Sequence, residues 1–384
     1  MYALRMPKLV LSDDKPFSGL EALLAGSSRV ALFTDCTIRK AGLIDGVLDE
    51  LSKTGIIVDV LDDLPAEPTV HQAAEIIRRF RALRADIIVA VGGGSVMDIA
   101  KLAGILDTDQ YTIYDLLNNP GQAVKTNRTI LIPTTAGTGA EATPNAIVTV
   151  PEQALKVGIV NYDMIADTVI LNVEMIRKLP RKIAASTGID ALAHAIECYT
   201  SKKATPFSNL YALEAFRLIE ANIEAACMED TEDMSAKANM LLASFYAGVA
   251  IAAAGTTGVH ALSYPLGGRY HIPHGISNAI LLMPVMRYNE PCCTEEFSFI
   301  YDRVRPGGVL RQDDEKSKWV LHRMEEIVKN VGIHTNLSAY GIGCDDLEEL
   351  VCAGMKVTRL LANNKREITA EDARSIYLEV MYCD

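Results

Sequence analysis

No two cysteines in this 384-residue chain are spaced C-x-x-C. The eight present, Cys36, Cys198, Cys227, Cys292, Cys293, Cys344, Cys352 and Cys383, are scattered, which argues against a disulfide framework and a zinc knuckle. They are expected to be mostly buried, reduced thiols. The first residues, MYALRMPKLVLSDDKP, lack a long apolar run after their basic residues and meet Asp13 and Asp14 early, unlike a secretory signal. The longest strongly apolar segment, Met240 to Ala254, is broken by Ser244 and Gly248 and falls short of the roughly 20 residues a membrane span needs. It predicts a buried helix and no membrane partner. Positive charge is in deficit, 37 bases against 49 acids for a formal net charge of −12, which argues against a nucleic-acid partner. Internal repeats, low-complexity tracts and long charge blocks are also missing; the short mixed run Asp313 to Lys318 reads as a solvated helix start. What remains is a cytoplasmic globular protein, in keeping with 49% hydrophobic and 22% charged residues, of two or three domains at roughly 150 residues each.

From Ser28 onward short β-rich runs alternate with helical ones. The strand candidates are Arg29 to Asp35, Gly55 to Leu61, Asp86 to Gly94 and Thr129 to Thr135. Helix-like stretches run to about Lys53, from His71 to Leu83, and from Ser95. Parallel pairing needs long crossovers, so this alternation predicts a parallel sheet covered by helices. After about Pro180 the pattern turns helical, in Ile183 to Tyr199, Pro206 to Ala226 and Thr231 to Ala254. The expected division is an α/β domain over residues 1–182 and an all-helical domain over 183–384, with the boundary near Leu179 to Thr187.

The run VGGGSVMDIAK, Val91 to Lys101, takes a strand into three glycines and at once into a helix. Glycines admit a ligand close to the backbone, and the free N–H groups and dipole of the helix start favour an anion. The pattern is not G-x-G-x-x-G and also suits a purely structural turn. Asp35, ending the first strand, suits the ribose hydroxyls of NAD and would repel a 2′-phosphate, or else caps the next helix. The polar cluster PTTAGTGAEAT, Pro133 to Thr143, follows another strand and suits ribose and phosphate contacts, or an ordinary loop.

The helical half holds GIDALAHAIECY, in which Asp190 and His194 share one helix face at i and i+4. His260, His271 and His274 crowd into VHALSYPLGGRYHIPHG. Singly, each histidine suits a core or surface role; as a set with Asp190 they point to one divalent metal.

These blocks, GGGSVMDIAK, PTTAGTGAEAT, GIDALAHAIECYTS and HALSYPLGGRYHIPHGISNAILL, resemble those of the iron-dependent (group III) alcohol dehydrogenase family, in the family's order from about residue 30 to 285. The resemblance implies a Rossmann-like NAD-binding domain followed by an all-α metal-binding domain, the dehydroquinate synthase-like architecture. By motif position it implies metal ligands at Asp190, His194, His260 and His274, with His271 a bystander, and Fe²⁺ ahead of Zn²⁺. It places NAD contacts on Asp35, Gly93, Gly94, Ser95, Asp98, Thr134, Thr135, Thr143 and Lys156. The activity implied is hydride transfer between nicotinamide and a small primary alcohol or its aldehyde, in a homodimer or larger homo-oligomer.

The chain departs from the family in three places. Tyr264 stands where many members carry a second histidine, which leaves the proton relay open, since a phenol is a poorer base at neutral pH; Tyr264 is either relay or pocket wall. Ala140 replaces the serine of GTGSE, and Asn172-Val173 the common Asp-Pro. Arg269, between two histidine ligands, suits an acidic substrate tail or faces solvent. The competing readings are a lyase that uses NAD transiently, like dehydroquinate synthase, a metal-dependent hydrolase, and a non-catalytic NAD-sensing scaffold.

Overall fold

A computed structural model describes residues 2–12, 17, 19–153, 155–228 and 234–381; Asp13, Asp14 and Cys383 fall outside them. The chain divides into two compact units, Arg5–Leu179 and, in the main, Pro180–Asp384.

The first unit runs β1 (Leu9–Ser12), α1 (Leu20–Leu23), β2 (Arg29–Phe33), α2 (Cys36–Lys40), α3 (Asp45–Lys53), β3 (Ile57–Leu61) and α4 (Val70–Leu83). It continues with β4 (Ile87–Gly92), α5 (Gly94–Leu106), α6 (Ile113–Asn118), β5 (Arg128–Pro133), β6 (Asn145–Val150), β7 (Leu155–Val160) and β8 (Thr168–Leu171). Six strands form a wholly parallel sheet in the order β1-β8-β5-β4-β2-β3. Its inner strands carry long apolar runs because both faces are covered; all six residues of β4, IIVAVG, are buried. One face packs Val30, Leu32, Val89, Val91, Ile130 and Ile132 against Leu20 of α1 and Val47 and Leu51 of α3.

The strand order reverses beside β2: the chain steps outward to β3, then crosses back to β4 and on to β5. In open α/β sheets, ligands bind at the carboxyl ends of strands at such a reversal. Register pairs Phe33 with Ala90 and Gly92 with Pro133, so the loops after β2, β4 and β5 leave the same sheet edge. The sequence reading did not foresee β1 or the antiparallel ribbon β6–β7. β1 is four residues, exposed at both ends and half-buried in the middle, too short to show a period; β6 does alternate buried and half-buried residues as a ribbon strand should.

The second unit is helical: α7 (Arg181–Tyr199), α8 (Pro206–Ala226), α9 (Ser235–Ala254), α10 (Gly258–Tyr270), α11 (His274–Val304), α12 (Asp313–Val331), α13 (Leu347–Met355), α14 (Thr358–Leu361) and α15 (Ala370–Leu378). α7 is buried without a break from Gly188 to Tyr199 and packs on α8, α9 and α11. A Cβ on Gly188 would lie 2.9 Å from Ile223 Cδ1, so the glycine sets how close α8 passes. α9 is long and apolar enough to cross a membrane but is mostly buried within the unit against α8 and α7, as expected of a core helix.

Of the cysteines, Cys198, Cys227 and Cys293 are buried and free, Cys36, Cys292 and Cys352 exposed and free. Cys344 is disulfide-bonded, which corrects the expectation of reduced thiols at that position. Pairing depends on Cβ proximity in space, which spacing along the chain does not reveal.

Candidate functional site

α7 presents Asp190 and His194 one turn apart, α10 presents His260 in its first turn, and α11 begins with His274. One ligand atom from each lies within 4.8 Å of the other three. Asp190 Oδ1 stands 3.8 Å from His194 Nε2 and 3.7 Å from both His260 Nε2 and His274 Nε2. Atoms bound to one ion at about 2.0–2.2 Å are about 3–4 Å from one another, so this spacing suits a single ion. The Nε2 atoms of His194 and His260 face each other at 2.9 Å. Two nitrogen lone pairs that close require a proton or a cation between them. The first three residues are buried and His274 is partly exposed, which gives the centre one open side. Burial works to raise the Asp190 carboxyl, but the three imidazoles and Asn278 outweigh it and hold it below the ordinary range. For His260 burial works downward, and Glu197 and Asp190 prevail to raise it.

Three further residues shape this centre, and the sequence reading had picked out none of them. Glu197, also on α7 and wholly buried, meets His260 Nδ1 through Oε2. Asn278, one turn after His274, donates from Nδ2 to Asp190 Oδ1 at 2.6 Å. Gly275 brings the start of α11 against α7, since a Cβ there would lie 2.2 Å from the Ser186 carbonyl oxygen. The available signal was helical spacing: Glu197 continues the Asp190–His194 face, and Asn278 the face of His274.

In the first unit, Gly93 is the N-cap of α5 and makes no side-chain cap bond, which leaves the start of a thirteen-residue helix open to an anion. Gly92 is sterically required, because its Cβ would lie 2.6 Å from Val96; at Gly94 the nearest atom, on Thr138, is at 3.1 Å. Ser95 Oγ accepts from Glu67 N at 2.9 Å. Thr134 Oγ1 is buried without a hydrogen-bond partner, a polar atom suited to a dinucleotide contact. Thr135 lies beside Gly93. Asp35 caps α2, with Oδ1 accepting from Thr37 N and Ile38 N at 2.8 and 2.9 Å. Both bonds use one oxygen, so capping and a ribose contact through Oδ2 are compatible.

The remaining three predicted contacts are engaged inside the unit. Asp98 accepts from Ile147 N at 2.9 Å and pairs with Lys101 at 2.9 Å. Lys101, fully buried, also bonds Ala140 O, Thr143 Oγ1 and Asn145 O, and so ties α5 to the Pro133–Asn145 loop. Lys156 pairs with Glu67 at 2.8 Å. Glu141 in the same loop is buried with Oε1 unpartnered, and burial pushes its carboxyl up to about 7.

Comparison with known proteins decides the family. The iron-containing alcohol dehydrogenase model matches residues 7–173, and the C-terminal model of the Fe-containing alcohol dehydrogenase family matches residues 184–381. The chain belongs to the iron-containing alcohol dehydrogenase family. It is 35% identical to long-chain-alcohol dehydrogenase 1 of Geobacillus thermodenitrificans, over 92% of this chain and 89% of that protein. It is 31% identical to the 1,3-propanediol dehydrogenase of Citrobacter freundii, over 91% and 92%. The structure of an alcohol dehydrogenase from Oenococcus oeni, 27% identical, superposes with a TM-score of 0.91 over 99% of this chain and 100% of that one.

As an iron-containing alcohol dehydrogenase, the chain is an oxidoreductase, which sets aside the lyase, hydrolase and scaffold readings. Tyr264 lies one turn after His260; its ring centroid is 6.0 Å from that of His274, and it packs with Ala261 and Leu360, with Val357 and Leu361 around them. Arg269 is half exposed and paired with Glu349. It falls in the last turn of α10, beyond the turns that carry His260 and Tyr264.

Proposed function

We propose that this iron-containing alcohol dehydrogenase interconverts a small primary alcohol and its aldehyde with NAD(H), using one divalent ion held by Asp190, His194, His260 and His274. The observation that carries the reading is the convergence of one carboxylate oxygen and three imidazole nitrogens within 4.8 Å in a chain of this family. When bound, the ion supplies Lewis acidity toward the substrate oxygen and the nicotinamide accepts or donates the hydride. The donor set accommodates Fe²⁺ and Zn²⁺ alike; the family's name favours iron.

The chain's own residues divide the remaining work. The open start of α5 at Gly93, Gly94 and Ser95 holds the phosphates, Asp35 the ribose, and Thr134 and Thr135 the polar edge beside them, with Lys156 as the cation for a phosphate. Asp98 and Thr143 act one step back, bracing the loop through Lys101. Tyr264 forms a wall beside His274 rather than serving as a base, which agrees with its packing in an apolar cluster. A paired Arg269 favours a substrate without an acidic tail. The proposal includes a cytoplasmic setting, a homo-oligomer of two or more chains, and domains over 1–182 and 183–384.

The test is NADH oxidation with a panel of short aldehydes, neutral and acid-bearing, on protein stripped by chelator and reconstituted anaerobically with Fe²⁺ or Zn²⁺. Metal-dependent turnover faster with NADH than NADPH is expected. Turnover that survives stripping undiminished would overturn the metal assignment.

A further inference from the structure

We infer that Glu197 is a positioning residue of the metal centre, fixing through His260 Nδ1 which ring nitrogen of that ligand faces the ion. The inference rests on the assignment of Asp190, His194, His260 and His274 as ligands. Glu197 lies on α7 at i+3 from His194 and i+7 from Asp190, so helical geometry sets it on their face. It is wholly buried, and a buried carboxylate persists only where its oxygens are matched by donors.

The match here is complete. Oε1 accepts from Thr257 Oγ1 at 2.7 Å, Val259 N at 2.7 Å and Thr257 N at 3.1 Å. These donors belong to the start of α10, whose own N-cap residue, Thr257, makes no side-chain cap bond to its helix. A carboxylate from α7 therefore does for α10 what an N-cap side chain does elsewhere. With Oε1 held in this way, Oε2 is directed at His260 Nδ1.

A carboxylate only accepts, so Nδ1 bears the ring proton and Nε2 keeps its lone pair. Nε2 is the atom that stands 3.7 Å from Asp190 Oδ1 and 2.9 Å from His194 Nε2. Metal-bound imidazoles characteristically give their second N–H to such a partner, which settles tautomer and ring orientation together. Glu197 does more than this, because the backbone it caps is the turn that carries His260. One side chain thus fixes both where the ligand's helix begins and how its ring is turned.

The test uses the full chain and Glu197→Gln, which preserves the side chain's shape. The amide oxygen keeps the three bonds now made by Oε1, while the amide NH₂ faces Nδ1. Nδ1 must then accept, and the ring proton moves to Nε2, where the ion binds. Zn²⁺ affinity by chelator competition should fall about 10- to 100-fold, with the melting temperature in excess chelator little changed. Nitrogen NMR of the metal-free proteins, at a pH where the ring is neutral, should show the His260 proton on Nδ1 in the wild type and on Nε2 in the variant. Equal Zn²⁺ affinity in the two proteins overturns the inference. A wild type that binds no ion through these four residues overturns the ligand assignment instead. If the variant does not fold, the wild-type spectrum decides: a proton on Nδ1 upholds the inference and one on Nε2 overturns it.

Discussion

Gly275 and Ser186 meet backbone to backbone: a Cβ on the glycine would stand 2.2 Å from the serine carbonyl oxygen, so only hydrogen fits between α11 and α7 there. The next residue back is His274, which makes this contact a spacer for the metal centre. Gly275→Ala must push the two helices apart, a kind of overpacking that costs about 1–3 kcal/mol. The expected result is weaker Zn²⁺ binding by roughly tenfold for each 1.4 kcal/mol that reaches the ligand, measured by chelator competition. A variant that melts earlier yet binds Zn²⁺ as tightly as wild type would separate the spacer from the site.

Asp190 is the only anionic donor among the four. Asp190→Ala leaves three neutral imidazoles, and elemental analysis after gel filtration is expected to find the bound ion largely lost, together with NADH oxidation. Circular dichroism should report an intact helical unit. Retention of one ion per chain would remove Asp190 from the ligand set.

Glu141 makes a pH prediction. Its carboxyl is raised by burial from 4.5 to about 7, so between those values the folded state holds a proton that the unfolded state has released. Stability from this group is therefore fully present below pH 4.5 and is lost as pH rises through about 7, up to about 3 kcal/mol in all. Glu141→Gln lacks this titration, so its melting temperature should exceed wild type by more at pH 8 than at pH 5. A gap independent of pH would show that the carboxyl titrates normally.

Glu67 sits at a positive φ of 49°, unusual for a side-chain-bearing residue, with its carboxylate on Lys156 and its amide on Ser95. Both partners are proposed phosphate contacts, so the carboxylate competes with the dinucleotide. Lys156 in this pair is nearly buried while Glu67 is over a third exposed, and a partly exposed pair of this kind is worth on the order of 1 kcal/mol. Glu67→Gln should accordingly tighten NADH binding by up to roughly fivefold, while Lys156→Met weakens it. Fluorescence titration measures both; unchanged affinity in both variants would remove this pair from the cofactor site.

What the sequence disclosed followed from periodicity and local chemistry. Continuous apolar runs ending in glycine or threonine marked β2, β4 and β5, because a strand covered on both faces has no polar alternation to disguise it. Asp190 and His194 were readable because i and i+4 share a helix face. The residues that went unseen depend on contacts between elements. Glu197 matters because α10 happens to begin against it, and Gly275 because α7 passes beneath it. Lys101 looked like a residue on the helix after a phosphate turn, whereas it is a wholly buried tie holding the loop that ends in Asn145. Arg269 has a partner, Glu349, that lies 80 residues away and that spacing along the chain does not reveal.

The proposed metal ligands are shared among α7, α10 and α11, which would make a bound ion a cross-link in the chain's assembly as well as a reagent. The Asp190–His194 pair offers two donors on one helix; the other two arrive only once α10 and α11 have docked. Because ion binding to such a site is coupled to folding, tight loading belongs to the last step of building this unit. A chain with α11 undocked can hold the ion by no more than three donors and would surrender it to a mild chelator. A molecule that holds its ion through all four donors is therefore one in which all three helices have met.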